Sequence, residues 1–426
     1  MDKSKKGLVF GIIFSCFISY TLTMCMKMVY SASIVSIIDE YAVSYSLASL
    51  PVTLYYMVYA VIQIFLAAIM KKINMRLYML VTFAFSGLSF ISVYFYSSVW
   101  YIGTVMAVNG ITLGAVWCGS VMIFAKYLTK KQMSDTLLLM GAGSIVGNVL
   151  SYGISALSMH IGNWRISFFV VGAAFLIATV YQTVVLTCVE KRKFVPEEDG
   201  DNVPVAKRIY TVKRNEAKPL IVMATIVVFF SCILYYAFTT WMPTILKDIF
   251  GVGNTQATLI TMAFPVFMMV GVYLSNTLSN KVRNDFELST VAAAIVAVLS
   301  LVLCFTFDKN LFLCVALIVI LGIALRLITS LDCSYVTLHT KPYYNSGSTA
   351  SIINASACVA AGGSPALIAM IIDLSGGSWQ TGFIALFIAA IVLLIVPSVF
   401  WIANVKRQHM ETDFTAEETE KTEDAK

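Results

Sequence analysis

Hydrophobic residues occur along this chain in long, unbroken runs, and polar residues are confined to the stretches between them. A run of about 20 apolar residues is long enough to cross the ~30 Å hydrocarbon core of a bilayer as a helix. The runs are continuously apolar instead of alternating, which excludes the strands of a membrane barrel. The pattern predicts an all-α membrane protein with twelve transmembrane helices, at roughly 8–38, 45–70, 74–95, 99–126, 133–161, 164–190, 219–250, 255–279, 286–307, 310–338, 345–374 and 378–404.

One long polar segment, EKRKFVPEEDGDNVPVAKRIYTVKRNEAKP, interrupts the apolar pattern in the middle of the chain. It carries charges of both signs and several prolines and has no apolar periodicity, so it is typical of a linker. The segment divides the chain into a six-helix half at 1–190, a cytoplasmic linker at 191–218 and a second six-helix half at 219–405. The polar, acidic tail at 406–426 is predicted to be disordered.

The two halves share weak internal similarity. Trp164 and Phe168 open the sixth predicted helix with the spacing that Trp379 and Phe383 repeat at the start of the twelfth, 215 residues later. Repeats of this kind remain in membrane proteins built from two related halves.

Composition and charge agree with a membrane protein whose two faces differ. The mean hydropathy is +0.84 and only 12% of residues are charged, which excludes an ordinary soluble domain. Lysine and arginine concentrate in one set of loops, so the positive-inside rule predicts a multi-pass protein of the cytoplasmic membrane with both termini in the cytoplasm. The net charge of +6 reflects this bias and not a nucleic-acid surface.

The chain lacks the signatures of an enzyme. The nine cysteines follow no metal-ligand spacing, and GAGSIVG lies inside an apolar run without the lysine of a phosphate loop. No nucleophile–base pattern is present, so we expect neither catalysis nor a cofactor.

Three full charges lie deep inside the predicted helices: Lys27, Arg326 and Asp332. A charge at the centre of a membrane helix costs at least ~2.5–3.5 kcal/mol, so each needs a partner, a wet cavity or a neutral form. Lys27 lies 12 residues before Asp39, about 18 Å of helix, which is too far for its ammonium group to reach the interface easily.

Over nearly its whole length the chain resembles the major facilitator superfamily, and within it the organophosphate:phosphate antiporters and related organic-anion transporters. The resemblance rests on the Lys27 region with its following DEY, NGITLGAVW from Asn109, NWR from Asn163, TTWMPTILKDIFG from Thr239 and NSGSTASI from Asn345. It implies two six-helix halves around a central cavity lined by the first, fourth, seventh and tenth helices. We expect a monomer in the lipid bilayer.

Two departures from the family pattern stand out. AAIMKKINMR, from Ala67 to Arg76, keeps the basic residues of the family's second-to-third-helix loop but lacks its glycine and aspartate. Tyr235 occupies the position of an arginine that the phosphate-ester antiporters carry on the seventh helix. The second departure argues against phosphate esters.

The predicted cavity combines two cations with hydroxyl groups and aromatic rings. Helical spacing places Thr23 and Tyr30 on the Lys27 face, and arginine binds a carboxylate or phosphate through two hydrogen bonds. The candidate substrate-binding residues are Lys27, Arg326, Tyr30, Thr23, Asn109, Trp117, Tyr236 and Thr239.

Asp332 and His339 form a separate stripe with Tyr335, and we consider both as candidates for ion coupling. Structural alternatives remain for all of these residues. Lys27 could pair with Asp332 or be neutral, Arg326 could be held by Asp332, and Asp332 could bind the helix backbone. Trp117 and Tyr236 could be packing aromatics, and Asn109 a hydrogen bond between helices.

The leading hypothesis is a secondary transporter for a small organic anion, a carboxylate or possibly a phosphate ester, working as a symporter or antiporter. A proton, a sodium ion or a counter-anion would drive it. One alternative is an exporter of drugs or metabolites, although GAGSIVGNVLSYG lacks the proline of the fifth-helix motif common in such exporters. Another is a transporter-like receptor that binds the anion without moving it.

Overall fold

The computed structural model describes residues 3–69, 74–114, 116–192, 214–279, 285–340, 343–344 and 346–423. Within these ranges the chain is helical and contains no strand. The helices are α1 Lys3–Tyr41, α2 Tyr45–Ile69, α3 Met75–Phe95, α4 Val99–Leu113, α5 Val116–Tyr127, α6 Lys130–His160, α7 Arg165–Lys191, α8 Arg214–Phe250, α9 Asn254–Thr261, α10 Ala263–Ser279, α11 Asp285–Thr306, α12 Leu311–His339, α13 Ser346–Leu374 and α14 Trp379–Glu423.

Among the described residues, eleven helical segments are long and apolar enough to cross a membrane, and the shorter apolar helix α4 adds a twelfth. The fourth predicted helix is described as α4 and α5, with residue 115 between them outside the described residues. At Gly114, after the end of α4, a Cβ atom would lie 3.1 Å from a Cγ atom of Ile62 on α2. The eighth is divided into α9 and α10 at Met262. Pro265 stands in the first turn of α10, where its missing N–H is not needed for a helical hydrogen bond. The all-α, twelve-span prediction is therefore confirmed, with two of the spans interrupted.

The last helix extends past the end of the twelfth predicted span. Helix α14 continues to Glu423, and the disorder expected for the tail at 406–426 stays a prediction. The segment 406–426 contains neither glycine nor proline, and its five glutamates and three lysines favour helix, whereas its four threonines do not. Residues 193–213 of the predicted linker lie outside the described residues, and α8 begins at Arg214.

Helix packing follows the two sets of six spans. In the first set α1 packs on α6 and α7, α2 on α4, and α3 on α7. In the second set α8 packs on α12, α13 and α14, while α10 and α11 both pack on α12. Contacts of α2 with α13, of α6 with α9 and α10, and of α1 with α8 join the two sets. The two sets of spans therefore meet along α1, α2 and α6 of the first set and α8, α9, α10 and α13 of the second.

Glycines allow the closest helix approaches. A Cβ atom on Gly147 of α6 would lie 2.3 Å from the carbonyl oxygen of Thr21 on α1. Small residues at such points let membrane helices pack backbone against backbone. Gly141 is on the same helix, but a Cβ atom there would meet nothing within 4 Å.

Gly147→Ala is expected to lower the apparent melting temperature of the purified protein, because overpacking typically costs ~1–3 kcal/mol. Gly141→Ala is the matched control and is expected to leave it unchanged or slightly higher. Equal melting temperatures for the two variants would contradict the close α1–α6 contact.

Candidate functional site

Lys27 is buried in the middle of α1, with 6% of its surface exposed. Its Nζ atom lies 4.2 Å from the centre of the Tyr59 ring and 5.8 Å from that of Tyr55, both on α2. The thiol of Cys358 on α13 also interacts with it electrostatically. Within the described part of the chain Lys27 forms no ion pair, so tyrosine rings and not a carboxylate surround this cation.

Tyrosine rings continue from Lys27 across to the second half of the chain. Tyr55 and Tyr56 of α2 have ring centres 5.2 Å apart, and Tyr56 meets Tyr236 of α8 at 5.2 Å in an edge-to-face arrangement. Tyr236 in turn contacts Tyr235 at 4.7 Å. We call Tyr55, Tyr56, Tyr59, Tyr235 and Tyr236 the tyrosine cluster.

Arg326 is the second cation of the site. Its side chain is half-buried on α12, and it interacts electrostatically with Tyr235 of the tyrosine cluster and with Tyr20 of α1. The ring of Tyr20 packs 5.1 Å from that of Trp117 on α5. As with Lys27, no ion pair involves Arg326 where the structure describes its surroundings.

At one end of the bundle, where α1 ends at Tyr41 and α2 begins at Tyr45, side chains tie each set of spans together. We call this the Tyr45 end. Glu40 accepts hydrogen bonds from the indole N–H of Trp164, at 2.6 Å, and from the guanidinium of Arg165. In the second set, Asp248 accepts from the indole N–H of Trp379 at 3.1 Å. The repeated tryptophans therefore play equivalent parts in the two sets of spans.

Other side chains at the Tyr45 end join the two sets. Lys247 forms an ion pair with Asp39, and the Tyr45 hydroxyl donates to Asp248 at 2.6 Å. Asp373 accepts from the backbone N–H groups of Tyr45, at 3.2 Å, and Ser46, at 2.8 Å, which caps the start of α2. We call these contacts of Asp39, Tyr45, Lys247, Asp248 and Asp373 the latch.

The Tyr45 end also has an open cleft of about 410 Å³. Its walls include Trp164 of the first set of spans and, in the second, the first turn of α9, which begins at Asn254. Because it opens at the surface beside the latch, the cleft is separate from the two cations.

Comparison with known proteins identifies the fold. The family model described as the Major Facilitator Superfamily matches residues 16–360, which is most of the chain. This chain belongs to the Major Facilitator Superfamily. It is a multi-pass membrane transporter and not an enzyme, and members of the superfamily carry small-molecule substrates with ion coupling and are typically monomeric.

Solved structures agree with this assignment at the level of the fold. A bacterial homolog of the human lysosomal transporter Spinster, inward-facing and occupied, superposes with a TM-score of 0.74 at 15% identity, covering 95% of this chain and 98% of that one. Its unoccupied inward-facing form gives 0.73 at 14% identity, covering 95% and 98%. A D-xylose–proton symporter gives 0.71 at 15% identity, covering 92% and 97%. No curated protein sequence matches the chain.

Three of the predicted substrate-binding residues donate hydrogen bonds to backbone carbonyl groups within the protein. The Tyr30 hydroxyl donates to the carbonyl oxygen of Ala48, at 2.7 Å. The hydroxyls of Thr23 and Thr239 donate to backbone carbonyls one turn earlier, at Ser19 and Tyr235. All three side chains are buried and donate hydrogen bonds within the protein, and their part in substrate binding stays a prediction.

Asn109 also forms hydrogen bonds within the first set of spans. Its amide group donates to Ser89 of α3 at 2.9 Å and to the carbonyl oxygen of Val105. The residue is fully buried between α4 and α3. Of the eight candidates, the structure therefore brings Lys27, Arg326, Trp117 and Tyr236 to partners that belong to one aromatic and cationic site.

Asp332 accepts a hydrogen bond from a serine and forms no ion pair with Lys27 among the described residues. It is buried, and one carboxylate oxygen accepts a hydrogen bond from Ser289 of α11 at 3.1 Å. His339 is the last residue of α12, and its side chain lies outside the described residues.

Sequence reasoning missed the second span's contribution to the site. Tyr55, Tyr56 and Tyr59 lie in LYYMVYAV, and the spacing of Tyr55 and Tyr59 puts them on one helical face inside an apolar run. This aromatic face was the feature of the sequence that indicated a contribution of the second span to the site. Tyr235 occupies the position in the seventh span that Lys27 occupies in the first. Tyr235 precedes Asp248 by 13 residues, and Lys27 precedes Glu40 by the same number.

The latch yields a test with a matched control. Tyr45→Phe removes a hydrogen bond between the two sets of spans, whereas Tyr41→Phe removes one to Ser97 within the first set. We expect Tyr45→Phe to raise the labelling rate of a cysteine placed at buried Thr240 several-fold, since a net hydrogen bond contributes ~1 kcal/mol. Maleimide labelling of purified protein in nanodiscs measures the rate.

Tyr41→Phe is expected to leave that rate unchanged, and each variant without the added cysteine gives the background from native thiols. If both tyrosine variants labelled alike, the latch would not control opening of this end.

Proposed function

We propose that this protein is a secondary active transporter that moves a small organic anion across the cytoplasmic membrane by alternating access, with both termini in the cytoplasm. The observation that carries the proposal is the pair of membrane-embedded cations, Lys27 in the first set of spans and Arg326 in the second. Neither forms an ion pair within the described residues.

The energetics favour an anionic ligand. Each buried cation costs ~2.5–3.5 kcal/mol in the membrane unless a counter-charge offsets the loss of water. The rings of Tyr55 and Tyr59 offset part of the cost at Lys27 through cation–π contact. A bound anion would supply the rest for both residues, and cationic drugs would be repelled.

The ligand class follows from the residues near Arg326. A single guanidinium binds a carboxylate with two hydrogen bonds. Tyr235 stands where a second arginine would serve a phosphate ester, so the site favours a carboxylate over a phosphate ester.

The latch suggests the direction in which the site is open. Its contacts hold the two sets of spans together at the Tyr45 end, which the charge bias predicts to be extracellular. The Spinster homolog of similar fold is described as inward-facing. We infer that the protein is in the inward-facing state in this structure. An anion bound by both Lys27 and Arg326 then draws the two halves together before the latch opens.

Coupling is proposed to involve Asp332, with His339 as a second candidate at the end of the same helix. Asp332 follows Arg326 by six residues, so both belong to α12 but lie on different faces. A proton or sodium ion at Asp332 would change the charge of the helix that binds the anion. A counter-anion exchanged at Lys27 and Arg326 is the alternative source of energy.

Neutralising the cations tests the proposal directly. Lys27→Gln and Arg326→Gln are each expected to reduce uptake of carboxylates into proteoliposomes at least tenfold. Lys309→Gln, at an exposed loop position, is the control for the same chemical change and should transport normally. Benzoate, succinate and glycerol 3-phosphate serve as probe anions, and normal uptake by the double variant would contradict the proposal.

The coupling residue has a separate test. We expect Asp332→Asn to abolish accumulation driven by a proton or sodium gradient, while downhill exchange continues, because the anion site is retained. Asp308→Asn, in an exposed loop, should accumulate the anion normally. Gradient-driven accumulation by Asp332→Asn would remove this residue from the coupling mechanism.

A further inference from the structure

We propose that the anion carried by this protein is a carboxylate attached to an aromatic ring, and that the tyrosine cluster is the element that selects it. The inference rests on the proposed function, because it assigns a chemical class to the same site. It places the carboxylate beside Lys27 and Tyr55 and the ring against Tyr236.

The polar part of the site is already arranged for a carboxylate. The hydroxyl group of Tyr55 is fully buried and has no hydrogen-bond partner in the described part of the protein. Leaving a buried donor unpaired costs ~1–3 kcal/mol. The same ring lies 5.8 Å from Nζ of Lys27. A carboxylate placed there would accept from the hydroxyl and neutralise the ammonium group, so one ligand group satisfies both.

The rest of the site presents the flat rings of Tyr56, Tyr235 and Tyr236. Tyr56 and Tyr236 pack edge to face, at an angle of 64° between ring planes, and Tyr235 and Tyr236 at 74°. Tyr235 and Tyr236 are only half-buried, so their rings retain surface that a ligand can cover. An added aromatic ring extends this edge-to-face packing, whereas a saturated ring presents hydrogens on both faces and does not.

The residues between the two cations also favour a carboxylate over a phosphate ester. A phosphate ester requires several strong donors around three oxygens, which arginines and backbone N–H groups usually provide. The wall between the two cations instead consists of the phenol rings of the tyrosine cluster. It therefore matches a ligand with one anionic end and a flat, apolar body.

A matched pair of ligands tests the ring. Benzoate and cyclohexanecarboxylate have the same charge and nearly the same size, but only benzoate is aromatic. Titration calorimetry on the purified, full-length protein is expected to show benzoate binding about 3- to 10-fold more tightly, the range typical of one aromatic pair.

Variants then assign the preference to the cluster. Tyr236→Leu is expected to bring the ratio of the two dissociation constants to about one, and Tyr236→Phe to restore it. Tyr273→Leu, at a residue on the outer surface of α10, is the control for the same substitution. The ratio is insensitive to partial loss of folded protein, so a merely structural role of Tyr236 would leave it unchanged.

The carboxylate end has its own variant. Tyr55→Phe is expected to weaken both ligands about tenfold or more, because it removes a hydrogen bond to a charged group, and to leave their ratio unchanged. Lys27→Gln should abolish the binding of both.

The outcomes separate this inference from the proposed function. Equal affinity of the wild-type protein for the two ligands, with binding still dependent on Lys27, would overturn the aromatic preference and leave the anion site intact. Binding of succinate or glycerol 3-phosphate but not benzoate would also overturn the aromatic preference and leave the anion site intact. Benzoate binding that survives Lys27→Gln and Arg326→Gln together would overturn the anion site itself.

Discussion

The rest of the site depends on one buried charge, the ammonium group of Lys27, which lies inside a membrane helix and forms no ion pair with a carboxylate in the described residues. Water cannot solvate Lys27 there, and the rings of Tyr59 and Tyr55 offer only the partial compensation of a cation–π contact. The second set of spans adds Arg326 in a similar condition. A site that retains two costly cations is suited to a ligand that brings the missing negative charge, which is why the chemistry of this transporter is best explained from that pair.

The two sets of spans meet differently at the centre and at the Tyr45 end. In the centre the contacts are aromatic, from Tyr56 to Tyr236. At the Tyr45 end they are ionic and directional, as between Lys247 and Asp39 or Asp373 and the start of α2. These groups are partly exposed to water, which offsets part of the cost of breaking their contacts. A transporter that alternates between two states needs contacts of this kind at its gates.

Much of the fold could be predicted from the sequence because the bilayer requires continuous apolar helices of fixed minimum length. The breaks in the fourth and eighth spans were not predicted. Pro265 in the first turn of α10 was a sequence signal for the second break, whereas the contact of Gly114 with Ile62 of α2 is seen only in the packed structure. For the site, charge alone identified Lys27 and Arg326, because an ionised residue is conspicuous in an apolar run. Helical spacing was a weaker guide: it put Thr23 and Tyr30 on the Lys27 face, yet both have internal hydrogen bonds.

The sequence by itself determined the all-α membrane architecture, the two sets of six spans and the two embedded cations. Each of these follows from hydropathy and charge, which act at single positions or along a single helix. Only the tertiary structure decided what lies beside the cations and Asp332: Tyr55 and Tyr59 come from α2, Cys358 comes from α13, and Ser289 of α11 donates a hydrogen bond to Asp332. These neighbours depend on how helices pack and rotate against one another, and a chain of apolar residues carries no periodic signal for the identity of its partner.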